Sequence, residues 1–152
     1  MLHKGQFTRG KGKFHVVTYK PPAELPSVDY PIVLTTGRIL EHYHTGTMSH
    51  RSRVLETLVP EGCMEINPSD AAHLGIKEGA AITVTSRRGS VETKARTTRR
   101  VPPGLAFMSF HWKDAPANIL TSSACDPVAK IPEFKVSAVK AAVASENSSE
   151  EE

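Results

Sequence analysis

The sequence predicts a mainly β fold with short helices, and the simplest arrangement of such elements is a small β-barrel. Six or seven short runs of apolar or alternating residues have strand character, and Pro and Gly separate them. Only one or two segments carry helical signals, and the clearest of them is about two turns long. The length of 152 residues corresponds to one domain with its own core.

The first elements are predicted from the N-terminal third of the chain. Residues 1–12 alternate Lys, Gly, Arg and Thr and are expected to be a flexible lead-in. Residues 14–19 contain Phe, Val and Tyr and predict a first short strand, which two prolines end. After a Pro-rich connector at 23–31, the β-branched run 32–36 predicts a buried strand, followed by a long loop at 37–53.

A short strand at 63–66 and a helix at 68–74 follow the loop. Asn67 is a preferred N-cap residue, and the proline after it suits the first helical turn. Gly75 stands where the helix should end in a left-handed residue. These signals define a helix of about two turns, whose expected role is packing.

The remaining strands come from alternating or apolar runs in the second half. Two alternating runs, 82–85 and 91–97, predict a hairpin with Gly89 in its turn. An apolar run at 105–110 and a run at 134–143 supply the last two strands. The segment between them lacks strand signals.

The composition is that of an ordinary globular protein, with 39% hydrophobic and 23% charged residues. No segment approaches the ~20 consecutive apolar residues of a membrane helix, and the N-terminus lacks the apolar stretch of a secretory signal. Cys63 and Cys125 are far apart and match no metal-binding spacing, which predicts two buried thiols in a reducing compartment. A cytoplasmic location is therefore expected.

Charge is distributed unevenly along the chain. The net charge of +3 includes four Glu in residues 144–152, so residues 1–143 carry +7. The acidic tail at 144–152 has little apolar content and is predicted to be disordered. A basic body is compatible with nucleic acid, an anionic cofactor or an acidic protein partner.

The loop after the strand 32–36 carries the strongest functional signal. It is rich in Thr, His and Arg, and Gly37 and Gly46 allow close backbone approach or a positive φ. Hydroxyl, imidazole and guanidinium groups supply many hydrogen-bond donors, and almost no negative charge accompanies them. Such a loop at a strand end suits a large, polar, phosphate-bearing ligand.

Several motifs resemble the C-terminal dinucleotide-binding domain of molybdopterin oxidoreductases, specifically the formate dehydrogenase α-subunit type. The resemblance covers roughly residues 13–140, and its motifs occur in the family's order. It implies a double-psi β-barrel of the aspartate-decarboxylase-like architecture, with the binding domain at 13–143. The motifs are TTGR, HYHTGTM, INPSDAAHLGIKEGAAITVTSRRGSV, VPPGLAFMSFHW, AN-x-LT and DPVAKIPEFKVSAV.

The resemblance implies that the chain binds molybdopterin guanine dinucleotide, whose Mo or W a partner domain holds. Tyr is common in the family where this chain has Phe134, so a hydrogen bond from that hydroxyl is missing here. No catalytic residue is expected in this chain. The implied cofactor-binding residues are Thr36, Gly37, Arg38, His42, His44, Thr45, Gly46, Thr47, Met48, His111, Asn118 and Lys135.

The histidines of the loop also raise the question of a metal site. His42 and His44 lie on one face if the backbone is extended, and a third ligand would have to come from His50, Cys63 or His111. Their spacing matches no closed zinc motif. We therefore expect His42 and His44 to be hydrogen-bonding groups that hold no metal of their own.

The predicted function is cofactor binding as the C-terminal domain or small subunit of a formate dehydrogenase-like oxidoreductase. The Cys or selenocysteine metal ligand, the Fe–S cysteines and the catalytic His-Arg pair of this family have no counterpart here, so no turnover is expected from the chain alone. The partners would be the Fe–S and molybdopterin domains, without nucleic acid or membrane insertion. Alternatives are a standalone small subunit of a formylmethanofuran dehydrogenase-type complex, a basic nucleic-acid-binding β-barrel or a purely structural module.

Overall fold

Six β-strands form a closed barrel in the structure, a computed structural model that describes residues 3–144. The strands are β1 (Ile32–Gly37), β2 (Cys63–Ile66), β3 (Ala81–Ser86), β4 (Ser90–Thr97), β5 (Leu105–Ser109) and β6 (Ser137–Val143). Two short α-helices, α1 (Arg53–Leu58) and α2 (Pro68–His73), and two 3₁₀ turns, Ser49–Arg51 and Ala117–Leu120, connect them. The predicted mainly β class with short helices is confirmed.

The order of the strands around the barrel differs from their order in the chain. It runs β1, β5, β2, β4, β3, β6 and returns to β1. The pairs β1–β5 and β2–β4 are parallel, and the other four pairs are antiparallel. Parallel neighbours require crossover connections, which the segments between the strands provide. This connectivity makes the molecule a double-psi β-barrel.

Alternating side chains of the strands fill the barrel. In β2, Met64 and Ile66 are fully buried, whereas Cys63 and Glu65 point outward and are half-buried. Successive side chains of a strand point to opposite faces, so one face of each strand supplies the core. Leu34 is also fully buried, as the apolar run predicted. Other core members are Ile82, Val84, Ala106, Met108 and Val139.

Helix α2 has the caps that its sequence predicts. The Asn67 side chain accepts a hydrogen bond from the Ser69 amide at 3.0 Å, and Gly75 has a φ of +68°. The Asp70 carboxylate accepts from the Gly104 amide at 2.6 Å, which ties the helix to the turn before β5. The helix is therefore held at both ends and along its side.

Some local predictions are wrong. Residues 14–19 form no strand, and Phe14 and Val16 are fully exposed. Every barrel strand already has two neighbours, so the barrel offers no free edge to this segment. The last strand begins at Ser137 instead of 134, and the loop at 37–53 contains a 3₁₀ turn and the start of α1.

Two further predictions concern the cysteines and the tail. Neither cysteine forms a disulfide, but the prediction that both are buried is wrong, since Cys63 is half-buried and Cys125 is exposed. Of the predicted acidic tail, only Ala144 belongs to the described residues, and its amide bonds to the Ala81 carbonyl at 2.9 Å. Within residues 3–144, none of the helices combines the length and the apolarity needed to cross a bilayer.

An ion-pair cluster fastens the connector before β1 to the barrel. The Glu24 carboxylate, only 10% exposed, accepts from Arg87 at 2.5 Å, from Arg88 at 2.8 Å and from the Ala138 amide at 3.2 Å. Burial raises the pKa of Glu24, but the hydrogen bonds from the two arginines and the amide outweigh burial and lower it. We call Glu24, Arg87 and Arg88 the connector clamp.

Candidate functional site

The predicted ligand loop starts where β1 ends, next to the end of β5. Because the two strands are parallel and Gly37 pairs with Ser109, their carboxyl ends lie at the same edge of the barrel. The Phe110 amide donates to the Gly37 carbonyl at 3.3 Å. The TTGR and FHW motifs, separated by some 70 positions in the sequence, are thus direct neighbours.

A third predicted segment, which contains Phe134 and Lys135, reaches the same edge. The Thr36 hydroxyl donates to the Phe134 carbonyl at 2.8 Å, and Lys135 Nζ donates to the Thr36 carbonyl at 2.5 Å. Thr36 is buried, whereas Lys135 is exposed. The structure therefore brings these three segments to one edge of the barrel, whereas Asn118 lies in the 3₁₀ turn Ala117–Leu120.

Gly37 and Arg38 differ in what they offer to a ligand. A Cβ on Gly37 would lie 2.7 Å from the Phe107 ring, so a larger residue here would have to displace that ring. Arg38 is exposed, and its guanidinium lies 5.3 Å from the Phe110 ring centroid. Among residues 3–144, no carboxylate forms an ion pair with Arg38. Its charge is available to an anion.

His42 is buried, and the protein uses both of its ring nitrogens. Nδ1 lies 3.1 Å from the Ser49 hydroxyl, and Nε2 lies 2.8 Å from the Val59 carbonyl. The same Ser49 oxygen accepts from the Tyr43 amide at 3.1 Å. In this arrangement both ring nitrogens of His42 have partners within the protein, and these contacts help to hold the loop.

His111 is fully buried and joins two parts of the same loop. Its Nε2 accepts from the Ile39 amide at 3.0 Å, and its Nδ1 donates to the His44 carbonyl. This pair of contacts fixes the neutral Nδ1–H tautomer. Burial lowers the pKa of His111, which agrees with a neutral ring. Its imidazole shapes the loop and leaves no ring nitrogen free.

His50 lies beneath the turn at Gly46. Its Nε2 donates to the His111 carbonyl at 3.0 Å, and its Nδ1 lies 2.7 Å from the Glu56 carboxylate. The Glu56 hydrogen bond, and then the His111 carbonyl, raise the pKa of His50. Gly46 has a φ of +78°, and a Cβ there would lie 2.1 Å from His50 Nε2. The turn therefore rests directly on this imidazole.

His42, His50, His111 and Trp112 form what we call the histidine cluster. The His42 and His50 ring centroids are 4.3 Å apart, and the Trp112 ring lies edge-on to His42 at 5.0 Å. The indole nitrogen of Trp112 is buried without a hydrogen-bond partner within residues 3–144. The cluster forms the underside of the predicted ligand loop.

The twelve predicted residues thus divide into two groups by exposure. One group is buried and builds the loop: Thr36, Gly37, His42, Gly46 and His111. The other group is exposed and presents donors or apolar surface: Arg38, His44, Thr45, Thr47, Met48, Asn118 and Lys135. The hydroxyls of Thr45 and Thr47 lie 3.0 Å apart on the loop surface. Ligand contact stays a prediction for every member of both groups.

The sequence missed the partners that support the loop. No sequence pattern marks Ser49 or Glu56, and the sequence indicates His50 only as a third ligand of a metal site. A partial signal exists in the spacing of Gly46 and His50, since the His50 amide donates to the Gly46 carbonyl at 2.9 Å in a helix-like turn. The carbonyl partners of the imidazoles depend on the tertiary fold and leave no trace in the residue types.

A groove of about 1020 Å³ opens on the outer face of the barrel beside the loop. Four outward residues that are neighbours across β1, β5, β2 and β4 lie along it: Thr35, Phe107, Glu65 and Arg96. Arg38 is the one predicted site residue that borders this groove. The groove and the predicted ligand surface therefore meet at Arg38 but are otherwise separate.

A double-psi barrel whose edge loop presents cationic and neutral donors has the form of a domain that binds an anionic cofactor. The comparison with protein families agrees, since residues 32–138 match the family described as "Molydopterin dinucleotide binding domain". The match covers most of the barrel, and the chain belongs to this family.

The most similar curated proteins include two archaeal subunits. The chain is 49% identical over 142 residues to the F420-dependent formate dehydrogenase subunit alpha of Methanocaldococcus jannaschii. It is 47% identical over 142 residues to the F420-dependent formate dehydrogenase 2 subunit alpha of Methanococcus maripaludis. In each case the match covers 92% of this chain but only 21% of the relative. The chain thus spans about a fifth of the length of these proteins.

Among solved structures, the chain is similar to acetylene hydratase from Pelobacter acetylenicus. The TM-score is 0.67 at 17% sequence identity, and the match covers 76% of this chain and 18% of the hydratase. At this identity the likeness concerns the fold alone. It confirms the barrel architecture that the resemblance implied.

Proposed function

We propose that this chain binds molybdopterin guanine dinucleotide as the C-terminal domain or a small subunit of a formate dehydrogenase-like oxidoreductase. The observation that carries the proposal is Arg38, an exposed guanidinium with no carboxylate partner among residues 3–144, at the start of a donor-rich loop. The family membership and the two archaeal relatives support the same conclusion.

The exposed residues of the site suit the chemistry of such a ligand. Pyrophosphate requires positive charge and N–H or O–H donors, and pterin and guanine edges require both donors and acceptors. Arg38 and Lys135 supply the charge, the hydroxyls of Thr45 and Thr47 supply short donors, and the Asn118 amide supplies both functions. None of the predicted contact residues is acidic, so an anion would meet no repulsion from them.

The buried residues of the site would position these donors. The His111 ring forms hydrogen bonds with the Ile39 amide and the His44 carbonyl. The loop is therefore fixed on both sides of His42 before a ligand binds. Preorganised donors bind more tightly because less conformational entropy is lost on binding. The bound group would supply redox chemistry at Mo or W held by the partner domain, while this chain binds and orients the dinucleotide.

The proposal also covers the assembly. The Fe–S and metal-ligand domains would be the partners, either in the same chain or in another subunit, and formate would be the substrate of the complete enzyme. We place this assembly in the cytoplasm and propose no nucleic-acid partner.

We expect Arg38→Ala to weaken retention of the dinucleotide in the reconstituted enzyme by about 2 kcal/mol, or roughly 30-fold, because a charge-assisted phosphate contact is lost. The melting temperature should stay nearly unchanged, since the side chain is exposed. Guanine nucleotide released per folded assembly measures retention. Arg100→Ala, another exposed arginine beside the groove, is the matched control. Normal retention in Arg38→Ala would contradict the proposal.

We also expect the purified chain alone to show no formate oxidation with artificial electron acceptors. The reason is that the metal ligand, Fe–S cysteines and catalytic His-Arg pair of the family have no counterpart in its sequence. The assay compares the chain alone with the same chain combined with its catalytic partner. Turnover by the chain alone, in proportion to its concentration, would contradict the assignment as a binding domain.

A further inference from the structure

We propose that His42, His50 and Glu56 form a binding site for a divalent transition-metal ion, with Zn²⁺ as the best match. One ligating atom from each side chain lies within 4.8 Å of the other two. Two imidazole nitrogens and one carboxylate oxygen are donors that Zn²⁺ accepts, and a water molecule can fill the fourth position. The proposal does not depend on dinucleotide binding.

The three ligands come from segments that are already in contact. His50 lies in the 3₁₀ turn, Glu56 lies in α1, and their Nδ1 and Oε2 atoms are 2.7 Å apart. His42 is packed against His50, with the ring centroids 4.3 Å apart. Bond lengths of ~2.0–2.2 Å place the ligand atoms of tetrahedral zinc roughly 3.3 Å apart. Side-chain shifts of roughly 1 Å would therefore complete the site.

The second nitrogen of each imidazole has the partner that a metal-binding histidine needs. Such histidines usually donate their other ring N–H to a carbonyl or carboxylate, which fixes the ring and strengthens the ligand. His50 Nε2 donates to the His111 carbonyl at 3.0 Å, which leaves Nδ1 facing Glu56. His42 has partners on both sides, Ser49 Oγ and Val59 O. Whichever His42 nitrogen takes the metal, the other keeps a partner.

An ion can reach this cluster from solvent. The side chains of His50 and Glu56 are 27% and 41% exposed, whereas His42 closes the inner side. Within residues 3–144, Glu56 has no ion pair with Lys or Arg, and its charge partner is His50, whose Nδ1 proton a metal ion would displace. None of the residues in helix α1 is buried. A metal would therefore clamp a weakly packed helix onto the ligand loop.

The proposed site includes His42, which was expected from the sequence to hold no metal. The sequence offered His42 and His44, two positions apart, as a pair. In the structure His44 lies outside the cluster, and His50 and Glu56 accompany His42 instead. No sequence pattern marks Glu56, which follows His50 by six positions, because its contact with His50 depends on how α1 folds back on the loop. The donor set therefore became visible only in the structure.

The test is a metal titration of the 152-residue chain after treatment with a chelator. We expect one Zn²⁺ per chain by calorimetry, a rise in melting temperature on binding, and the visible absorption of four-coordinate Co²⁺ when cobalt is used. His50→Gln and Glu56→Gln should each lower the affinity by at least about tenfold. His73→Gln, at an exposed histidine on α2, should bind as the parent does.

Two outcomes of the metal titration would contradict a site formed by these three side chains. Absence of stoichiometric uptake by the parent chain would overturn the proposal, and so would uptake that survives both His50→Gln and Glu56→Gln. Circular dichroism establishes that each variant is folded, and Glu56→Gln changes a partly exposed side chain. Imidazole ¹⁵N shifts of the parent chain give an independent reading: zinc should move the signals of His42 and His50 and leave His73 in place.

Discussion

Gly46→Ala should destabilise the folded chain by about 3–4 kcal/mol. A left-handed φ costs a non-glycine residue about 1–2 kcal/mol, and Gly46 has a φ of +78°. The new Cβ would also lie 2.1 Å from His50 Nε2 and 2.6 Å from the His111 carbonyl oxygen. Because His50 Nε2 and the His111 carbonyl oxygen are hydrogen-bonded to each other, the new methyl group must break this hydrogen bond. Urea denaturation followed by circular dichroism measures the loss.

Gly75→Ala is the matched control for this substitution. Gly75 has a φ of +68°, close to that of Gly46, but a Cβ there would meet nothing within 4 Å. Only the backbone cost of about 1–2 kcal/mol should remain. The difference between the two variants therefore measures the contact of the Gly46 turn with the histidine cluster. Equal losses would show that this turn does not rest on His50.

Glu24→Gln should destabilise the chain by about 3 kcal/mol at neutral pH. The substitution leaves Arg88 and Arg87 without their carboxylate, and breaking a buried ion pair costs about 3–5 kcal/mol. We take the lower end because the two arginines are 27% and 43% exposed. Glu61→Gln is the control, since Glu61 and its partner Lys94 are both 54% exposed. It should change the free energy of unfolding by less than about 1 kcal/mol.

The effect of Glu24→Gln should also depend on pH. The pKa of Glu24 is lower in the folded chain than its ordinary value of 4.5, so the native state holds the proton less strongly than the unfolded state. The contribution of the ionised Glu24 carboxylate to the free energy of unfolding is complete above about pH 4.5. It is lost as the pH falls through the folded pKa. The difference in stability between the parent and Glu24→Gln should therefore shrink as the pH falls below 4.5 and through the folded pKa. A difference that stays constant throughout this acid titration would contradict the role of the carboxylate charge.

The predictable parts of the fold are those fixed by local patterns. The alternation of β3 and β4, the apolar run of β1 and the caps of α2 each determine their element from a few neighbouring residues. The strand predicted at 14–19 failed because its residue types favour extended backbone but say nothing about a partner. A strand needs a neighbouring edge, and the closed barrel provides none to this segment.

The sequence motifs indicated which segments belong together, but not which of their residues are buried. The motifs marked Thr36, His42 and His111 as part of one loop system, and the register of β1 and β5 brings them together. Which imidazoles are buried depends on distant carbonyl groups such as those of Val59 and His44. Backbone carbonyls occur at every position, so no sequence pattern distinguishes the ones that accept these hydrogen bonds.

The position of β6 has a consequence for the order of events during biosynthesis. This strand fills the gap between β3 and β1, and its register pairs Val143 with Ile82 and Val139 with Ile32. The contact with β1 therefore closes a loop of more than a hundred residues, a separation that slows folding. Until the ribosome has released Val143, β1 and β3 each lack one neighbour and present open edges to other chains. The nascent barrel consequently stays open to misassembly until its last strand emerges.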